Sequence, residues 1–197
     1  MLKVKKKGLL VVISSPSGAG KTTITKKLVS QNRNMELSVS LTTRNPRKNE
    51  KHNIDYKFVN KKIFNKYIKK NFFLEYAKVF DNYYGTLKSK ISNKIKKKKI
   101  ILLDIDWQGA RQIRQKKINN IVTIFILPPS INILKKRLRK RENDINFINK
   151  RMARAKKEIM HWKEYDYVVV NKSLTKCVNE IKNIIYTFQK KPLNFYI

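Results

Sequence analysis

The chain is 197 residues long and carries 47 Lys and Arg against 13 Asp and Glu, a formal charge of +34. That length suits one domain, and 41% hydrophobic with 10% aromatic residues is enough for a sizeable core, which excludes a chain kept unfolded by its charge. A single cysteine, Cys177, excludes an internal disulfide or a multi-cysteine metal centre, and no apolar run approaches the roughly 18 residues of a membrane span, so we expect a folded cytoplasmic protein.

Taken in chain order, Lys3, Lys5, Lys6 and Lys7 ahead of Leu9 to Ile13 imitate the start of a signal peptide, but the apolar stretch is short and runs directly into Ser14 and Ser15. Leu9 to Ser14 instead reads as a strand buried on both faces, and Lys21 to Ser30 follows with helical spacing. Between them lies Ser15-Pro16-Ser17-Gly18-Ala19-Gly20-Lys21-Thr22, a phosphate-binding loop in the strand-loop-helix setting it requires. Gly18 and Gly20 let consecutive amides turn inward around phosphate oxygens at the positive end of the helix. Lys21 is suited to bridging the β- and γ-phosphates, and the Thr22 hydroxyl to ligating Mg²⁺. Ser15 stands where the G-x-x-x-x-G-K-[ST] consensus has glycine.

Residues 38–92 interrupt the strand-helix rhythm with short alternating strands (Tyr56 to Val59, Phe73 to Phe80), polar turns and a helix near Ile63 to Lys70. Ser40 lies in a hydroxyl-rich run that leads to Arg44 and Arg47, with Tyr56 shortly after. Arginine forks and a tyrosine hydroxyl suit a second phosphate, although alone they read equally well as a solvated basic loop. Glu75 in Phe73-Leu74-Glu75-Tyr76-Ala77, and Tyr84 and Thr86 in Asn82-Tyr83-Tyr84-Gly85-Thr86, add a carboxylate, rings and a hydroxyl. Guanine offers donors at N1 and N2 and an acceptor at O6, so this set reads guanine and mismatches adenine, at about 1–3 kcal/mol per contact.

A second buried strand spans Ile100 to Ile105, with Asp104 and Asp106 at the carboxyl end where α/β sheets bind ligands, and a helix follows over Trp107 to Lys117. A carboxylate there can hold Mg²⁺ or its waters beside Thr22. The phosphate loop and these acids alone leave hydrolysis, transfer to a small acceptor and transfer to protein all open. Ile121 to Leu127 is a third strand stopped by Pro128-Pro129; residues 131–160 are helical and rich in Arg and Lys, with a polar break at Glu142-Asn143-Asp144; Tyr167 to Val170 is a fourth strand, and a helix from about Leu174 to Gln189 closes the chain. Buried strands separated by helices mean a parallel sheet covered on both faces.

Of the basic residues 37 are Lys and 10 are Arg, a balance that fits a solvated lysine shell better than a dedicated nucleic-acid face. His52 and His161 lack a paired ligand pattern and read as structural; Cys177, Trp107, Trp162 and most Phe read as packing, and Tyr83 as a support.

The chain resembles guanylate kinases from close to its start to about residue 190, through SPSGAGKT, SVSLTTRNPR, IDYKFV, FLEYA, NYYGT, LLDIDWQGA, FILPPS, INKRMARAKKE and YDYVVVN in family order. The resemblance implies an α/β fold: a three-layer P-loop NTPase core with a parallel sheet, an inserted mixed α+β GMP-binding lobe and a helical lid. It divides the single domain into core (1–37, 93–130 and 161–197), GMP lobe (38–92) and lid (131–160). It implies phosphoryl transfer from MgATP to GMP, giving ADP and GDP, with Ser15 to Thr22 on ATP and Thr22 and Asp104 serving Mg²⁺. By the same resemblance Arg44, Arg47, Tyr56 and Tyr84 hold the GMP phosphate, Ser40, Glu75 and Thr86 read guanine, and Asp106 lies close to the nucleotide. Arg137, Arg141 and Arg151 are implied to close onto the transferring phosphates. Asn49, Asn53 and Glu142 depart from the glycines frequent at these positions in the family. GMP and ATP are the implied partners, with no membrane or nucleic acid; association into a homo-oligomer stays open. Rival classes are a scaffold module with an eroded phosphate loop, a basic nucleic-acid binder, and a kinase for another monophosphate.

Overall fold

The computed structural model describes residues 8–140 and 144–190, so Arg141 and Glu142 lie outside the described residues. In chain order the elements are β1 (Leu9–Ser14), α1 (Lys21–Ser30), β2 (Met35–Leu37), β3 (Leu41–Thr42), β4 (Lys57–Phe58), α2 (Lys61–Lys69), β5 (Phe73–Val79), β6 (Asn82–Leu87) and α3 (Lys88–Lys96). There follow β7 (Ile100–Asp104), α4 (Trp107–Gln115), β8 (Ile121–Leu127), α5 (Ile131–Arg139), α6 (Ile145–Ile159), a short 3-10 turn at Met160–Glu164, β9 (Tyr167–Val170) and α7 (Leu174–Lys190).

The apolar runs form one parallel sheet in the order β2-β7-β1-β8-β9. Alternate residues of β1 serve opposite layers, because side chains on a strand alternate faces. Leu9, Val11 and Ile13 pack with Ile24 and Leu28 of α1 and Val178, Ile181 and Ile185 of α7. Leu10 and Val12 pack on the other side with Ile91 of α3 and Ala110 and Ile113 of α4. The result is the three-layer α/β core. Parallel strands all point their carboxyl ends at one edge, and that edge carries the loop after β1 and the acids after β7.

A second sheet, β4-β3-β6-β5, is mixed: β3 and β4 run parallel, while β6 is antiparallel to both its neighbours. It has its own core of Leu41, Phe64, Phe73 and Leu87, with the Phe64 ring stacked at 4.5 Å on Phe73 and 5.4 Å on Tyr83. A register shift between Phe73 and Glu75 turns Phe73 into this small core and Leu74 into the core beneath the main sheet, and leaves Glu75 opposite Thr86. The bulge thereby ties the two sheets together and aims Glu75 at the gap between them. Among the described residues no helix is long and apolar enough to cross a membrane.

Three strands, β2, β3 and β6, and helix α3 go beyond the sequence expectation. β2 and β3 are two or three residues long, too short to show a period, and α3 is lysine-rich with Ile91 as its buried residue. Trp162, read from the sequence as a packing residue, is 39% exposed, and Phe72 and Phe80 are also exposed.

The junction of β8 and β9 depends on Thr123, whose hydroxyl donates to Asp166 Oδ2 (2.8 Å) and accepts from the Asp166 amide (3.0 Å). Thr123→Val keeps the shape and deletes both bonds, so urea denaturation is expected to register a loss of about 1–2 kcal/mol.

Candidate active site

The loop after β1 is held open by backbone conformation and pinned from outside. Gly18 and Gly20 have φ of 90° and 99°, in the left-handed region that side chains disfavour, whereas Ser15 is not in that region and needs no glycine. Gly20 precedes α1, which has no side-chain cap, so its first amides face the loop without an internal partner. Asn171, at the end of β9, donates its amide to the Ala19 carbonyl at 2.8 Å, and Arg137 of α5 donates to the same carbonyl at 3.2 Å and to the Asn171 carbonyl at 3.3 Å.

Lys21 lies against the end of β7. Its Nζ is 2.6 Å from Asp104 Oδ1 and donates to the Ile105 carbonyl at 2.8 Å, while the Thr22 hydroxyl donates to Asp104 Oδ2 at 3.2 Å. A hydroxyl and a carboxylate oxygen beside a phosphate loop are the hard donors that Mg²⁺ selects, so the residues present fit that ion. Asp106 does other work: its side chain accepts from the Gln108 and Gly109 amides and so caps α4.

Across the gap, Arg44 forms a two-pronged pair with Glu50, Nη2 to Oε1 and Nη1 to Oε2 both at 2.9 Å, and the Arg47 amide donates to Glu50 Oε2 at 2.9 Å. Burial opposes ionisation of Glu50, but the bonds from Arg44 and the Arg47 amide outweigh it and hold the carboxyl below its ordinary value. The Arg44 guanidinium lies 5.4 Å from the Tyr56 ring centre, and Tyr56 meets Tyr84 edge-on at 6.0 Å. Burial, then the Asp104 charge, pushes the Tyr56 hydroxyl well above its usual pKa, so it stays a neutral donor. Arg47 lines an open cleft of about 810 Å³ with Glu50, Tyr56, Thr22 and Asp104. Lys26 of α1 bridges that cleft to Asp55 at 2.7 Å.

Deeper in the gap, a cavity of about 150 Å³ is lined by Lys21, Ser40, Tyr56, Glu75, Tyr84, Asp104 and Asp106. Glu75 is 3% exposed, and its Oε1 has no hydrogen-bond partner among the described residues. Burial raises its pKa from 4.5 to about 7, with the Asp106 charge adding to the rise and a bond from Thr86 opposing it. The Ser40 and Thr86 hydroxyls meet at 3.2 Å beside it. Arg151 of α6 lies over the Phe147 ring at 4.5 Å, and Arg141 is outside the described residues.

Four participants escape the sequence reading: Glu50, Asn171, Arg154 and Glu158. Glu158 of α6 accepts from the Ser17 amide of the loop at 3.1 Å and from Arg154 Nε at 2.6 Å, and Arg154 lies 3.6 Å from Asp106. A signal for some of them was present in the composition. Acids are scarce in this chain, yet Glu50, Asp55, Glu75, Asp104, Asp106 and Glu158 all border the gap or its loop.

Comparison with known proteins agrees over nearly the whole chain. The guanylate kinase family profile matches residues 7–188. The guanylate kinase of Rickettsia bellii is 46% identical over 188 residues, 95% of this chain and 98% of that protein. That of Rickettsia prowazekii is 45% identical over 196 residues, 99% of each. A crystal structure of guanylate kinase from Anaplasma phagocytophilum superposes with a TM-score of 0.80 at 36% identity, covering 95% of this chain and 89% of that one. With the family profile and full-length relatives in accord with the phosphate loop and its partner cavity, the chain belongs to the guanylate kinase family.

Proposed function

We propose that the chain transfers the γ-phosphate of ATP to GMP, giving ADP and GDP. One observation carries the reading: Lys21 of the phosphate loop and the buried carboxylate Glu75 line the same small cavity, so a donor phosphate and an acceptor base share one crevice. The loop from Ser15 to Thr22 holds the ATP phosphates with the free amides at the start of α1, and Lys21 neutralises the β- and γ-oxygens while Asp104 keeps its ammonium in register. Thr22 and Asp104 hold Mg²⁺, which when bound supplies further positive charge to the phosphate oxygens.

On the acceptor side Arg44, Arg47, Tyr56 and Tyr84 hold the GMP phosphate. Glu75 accepts from guanine N1 and N2, and Ser40 and Thr86 face its O6 edge. A phosphate oxygen of GMP attacks the γ-phosphorus in line; the bond to the bridging oxygen breaks and ADP leaves with that electron pair. No covalent enzyme intermediate is needed, because placement and positive charge supply the acceleration. Arg137 and Arg151 converge on the transferring group when α5 and α6 close as a lid, and closure excludes water. We assign the activity to the cytoplasm and assign no nucleic-acid partner to the surface charge.

A coupled assay of ADP release tests the reaction. GMP is expected to support turnover, with AMP, CMP, UMP and dTMP inert, and Lys21→Ala is expected to lower kcat about 100- to 1000-fold. Salt-sensitive binding to RNA without turnover of any monophosphate would overturn the proposal.

The raised pKa of Glu75 sets a second expectation. Its neutral form is favoured in the empty fold, so this group stabilises the apoprotein fully below pH 4.5, and the contribution is lost as pH rises through about 7. Guanine requires the opposite form, a carboxylate that accepts. The KM for GMP is therefore expected to climb as pH falls below about 7, approaching tenfold per unit. Glu75→Gln removes that component while retaining any titration of the GMP phosphate, so the difference between the two KM profiles isolates the carboxyl.

A further inference from the structure

We infer that Gly109, on the first turn of α4, is a specificity-determining positioning residue: its missing side chain is the space in which the Glu75 carboxylate is held at the guanine edge. The inference rests on the guanylate reading and adds to it a residue that touches no substrate.

A Cβ built on Gly109 comes 2.3 Å from Glu75 Oε2 and 3.1 Å from its Cδ, with Ile105 Cδ1 next at 3.3 Å. The first separation is far inside contact distance. The backbone of Gly109 is ordinary helix, so no left-handed conformation explains the glycine there. A helix interior otherwise disfavours glycine relative to alanine. The turn is fixed on its other side, because the Gly109 amide donates to Asp106 Oδ1 at 3.1 Å and Asp106 is also held by Arg154. The Glu75 backbone is fixed as well, being paired with Thr86 in the β5–β6 ladder. Only the end of the Glu75 side chain can yield. A methyl group at 109 therefore leaves the fold standing and displaces the carboxylate from its seat against α4.

The test is a cycle of wild type, Gly109→Ala, Glu75→Ala and the double variant, assayed with GMP and with IMP, which lacks the N2 donors. In Gly109→Ala the KM for GMP is expected to rise about 10- to 100-fold, the size of a lost hydrogen bond to a charged group, and the preference for GMP over IMP to collapse. The KM for ATP, kcat at saturating GMP and the melting temperature are expected to stay within twofold or a few degrees of wild type. In the Glu75→Ala background the same methyl is expected to have no effect on the GMP to IMP ratio, since the group it displaces is gone. An unchanged GMP to IMP ratio in Gly109→Ala overturns the inference. So does a parallel loss of ATP affinity or stability, or a loss of folded protein that Glu75→Ala does not restore, because each marks a purely structural glycine. Wild type that ignores GMP, or Glu75→Ala that keeps full GMP preference, instead defeats the guanylate reading itself.

Discussion

Two phosphate groups that repel each other must come within bonding distance, and the arrangement of this molecule follows from that constraint. Positive charge is the remedy, but a free cation on a long side chain is poorly aimed. Here three of the cations bordering the gap are held by acids: Lys21 by Asp104, Arg44 by Glu50, Arg154 by Glu158 and Asp106. The pairs are partly shielded from water, so each geometry is better defined than that of an exposed pair. In the Arg44 pair the carboxylate also accepts from the Arg47 amide. An anion-shaped site is thereby kept assembled in the empty protein.

The same edge of the main sheet explains why distant stretches of sequence converge. Parallel strands deliver the loop after β1 and the acids at the end of β7 side by side, and β9 leads into Asn171, which clamps the loop from the third direction. Glu158 reaches the loop from α6, and Glu75 reaches the gap through a bulge on the second sheet. None of these contacts is local, which is why some parts of the site were legible in the sequence and others were not. The strands of the core read clearly because they are apolar runs buried on both faces. The phosphate loop read clearly because its chemistry is contiguous. Glu158 and the Ser17 amide it serves are 141 residues apart, so no spacing rule joins them. Gly109 was equally silent, since a single glycine in a helical stretch carries no sign of what lies over it. Asn171, Arg154, Glu158 and Gly109 all lie inside the blocks that carry the family resemblance, yet the resemblance named other residues.

The departures from the family pattern have physical explanations where they can be seen. Asn53 stands at a position where glycine is frequent, and its φ is 62°. Asn is among the side chains that tolerate the left-handed region best, so the turn ahead of Tyr56 survives the exchange. The lysine excess is tolerated on similar terms. Long ammonium side chains keep their charge in water, and at physiological salt charges more than about 8 Å apart are largely screened. Acids cannot drift as freely, because those near the gap hold cations, cap a helix or, like Glu75, are buried in the gap itself.

Glu75 is the acid with the most unusual bargain. Buried with one oxygen unpartnered, it leaves a cost standing in the empty protein and holds its proton up to about pH 7. A base with two donors on adjacent atoms removes that cost by supplying the missing bonds and stabilising the ionised form. A base presenting an acceptor there meets either a lone-pair clash or a proton in the wrong place. On the proposed reading, selectivity comes less from attraction to guanine than from an unsatisfied group that only such an edge can satisfy, and burial makes the penalty large enough to discriminate. Water could satisfy the same oxygen in an open site and erase the distinction. On that reading the tight fit of Glu75 between β6 and the first turn of α4 belongs to the recognition chemistry, as does the bulge that places it opposite Thr86.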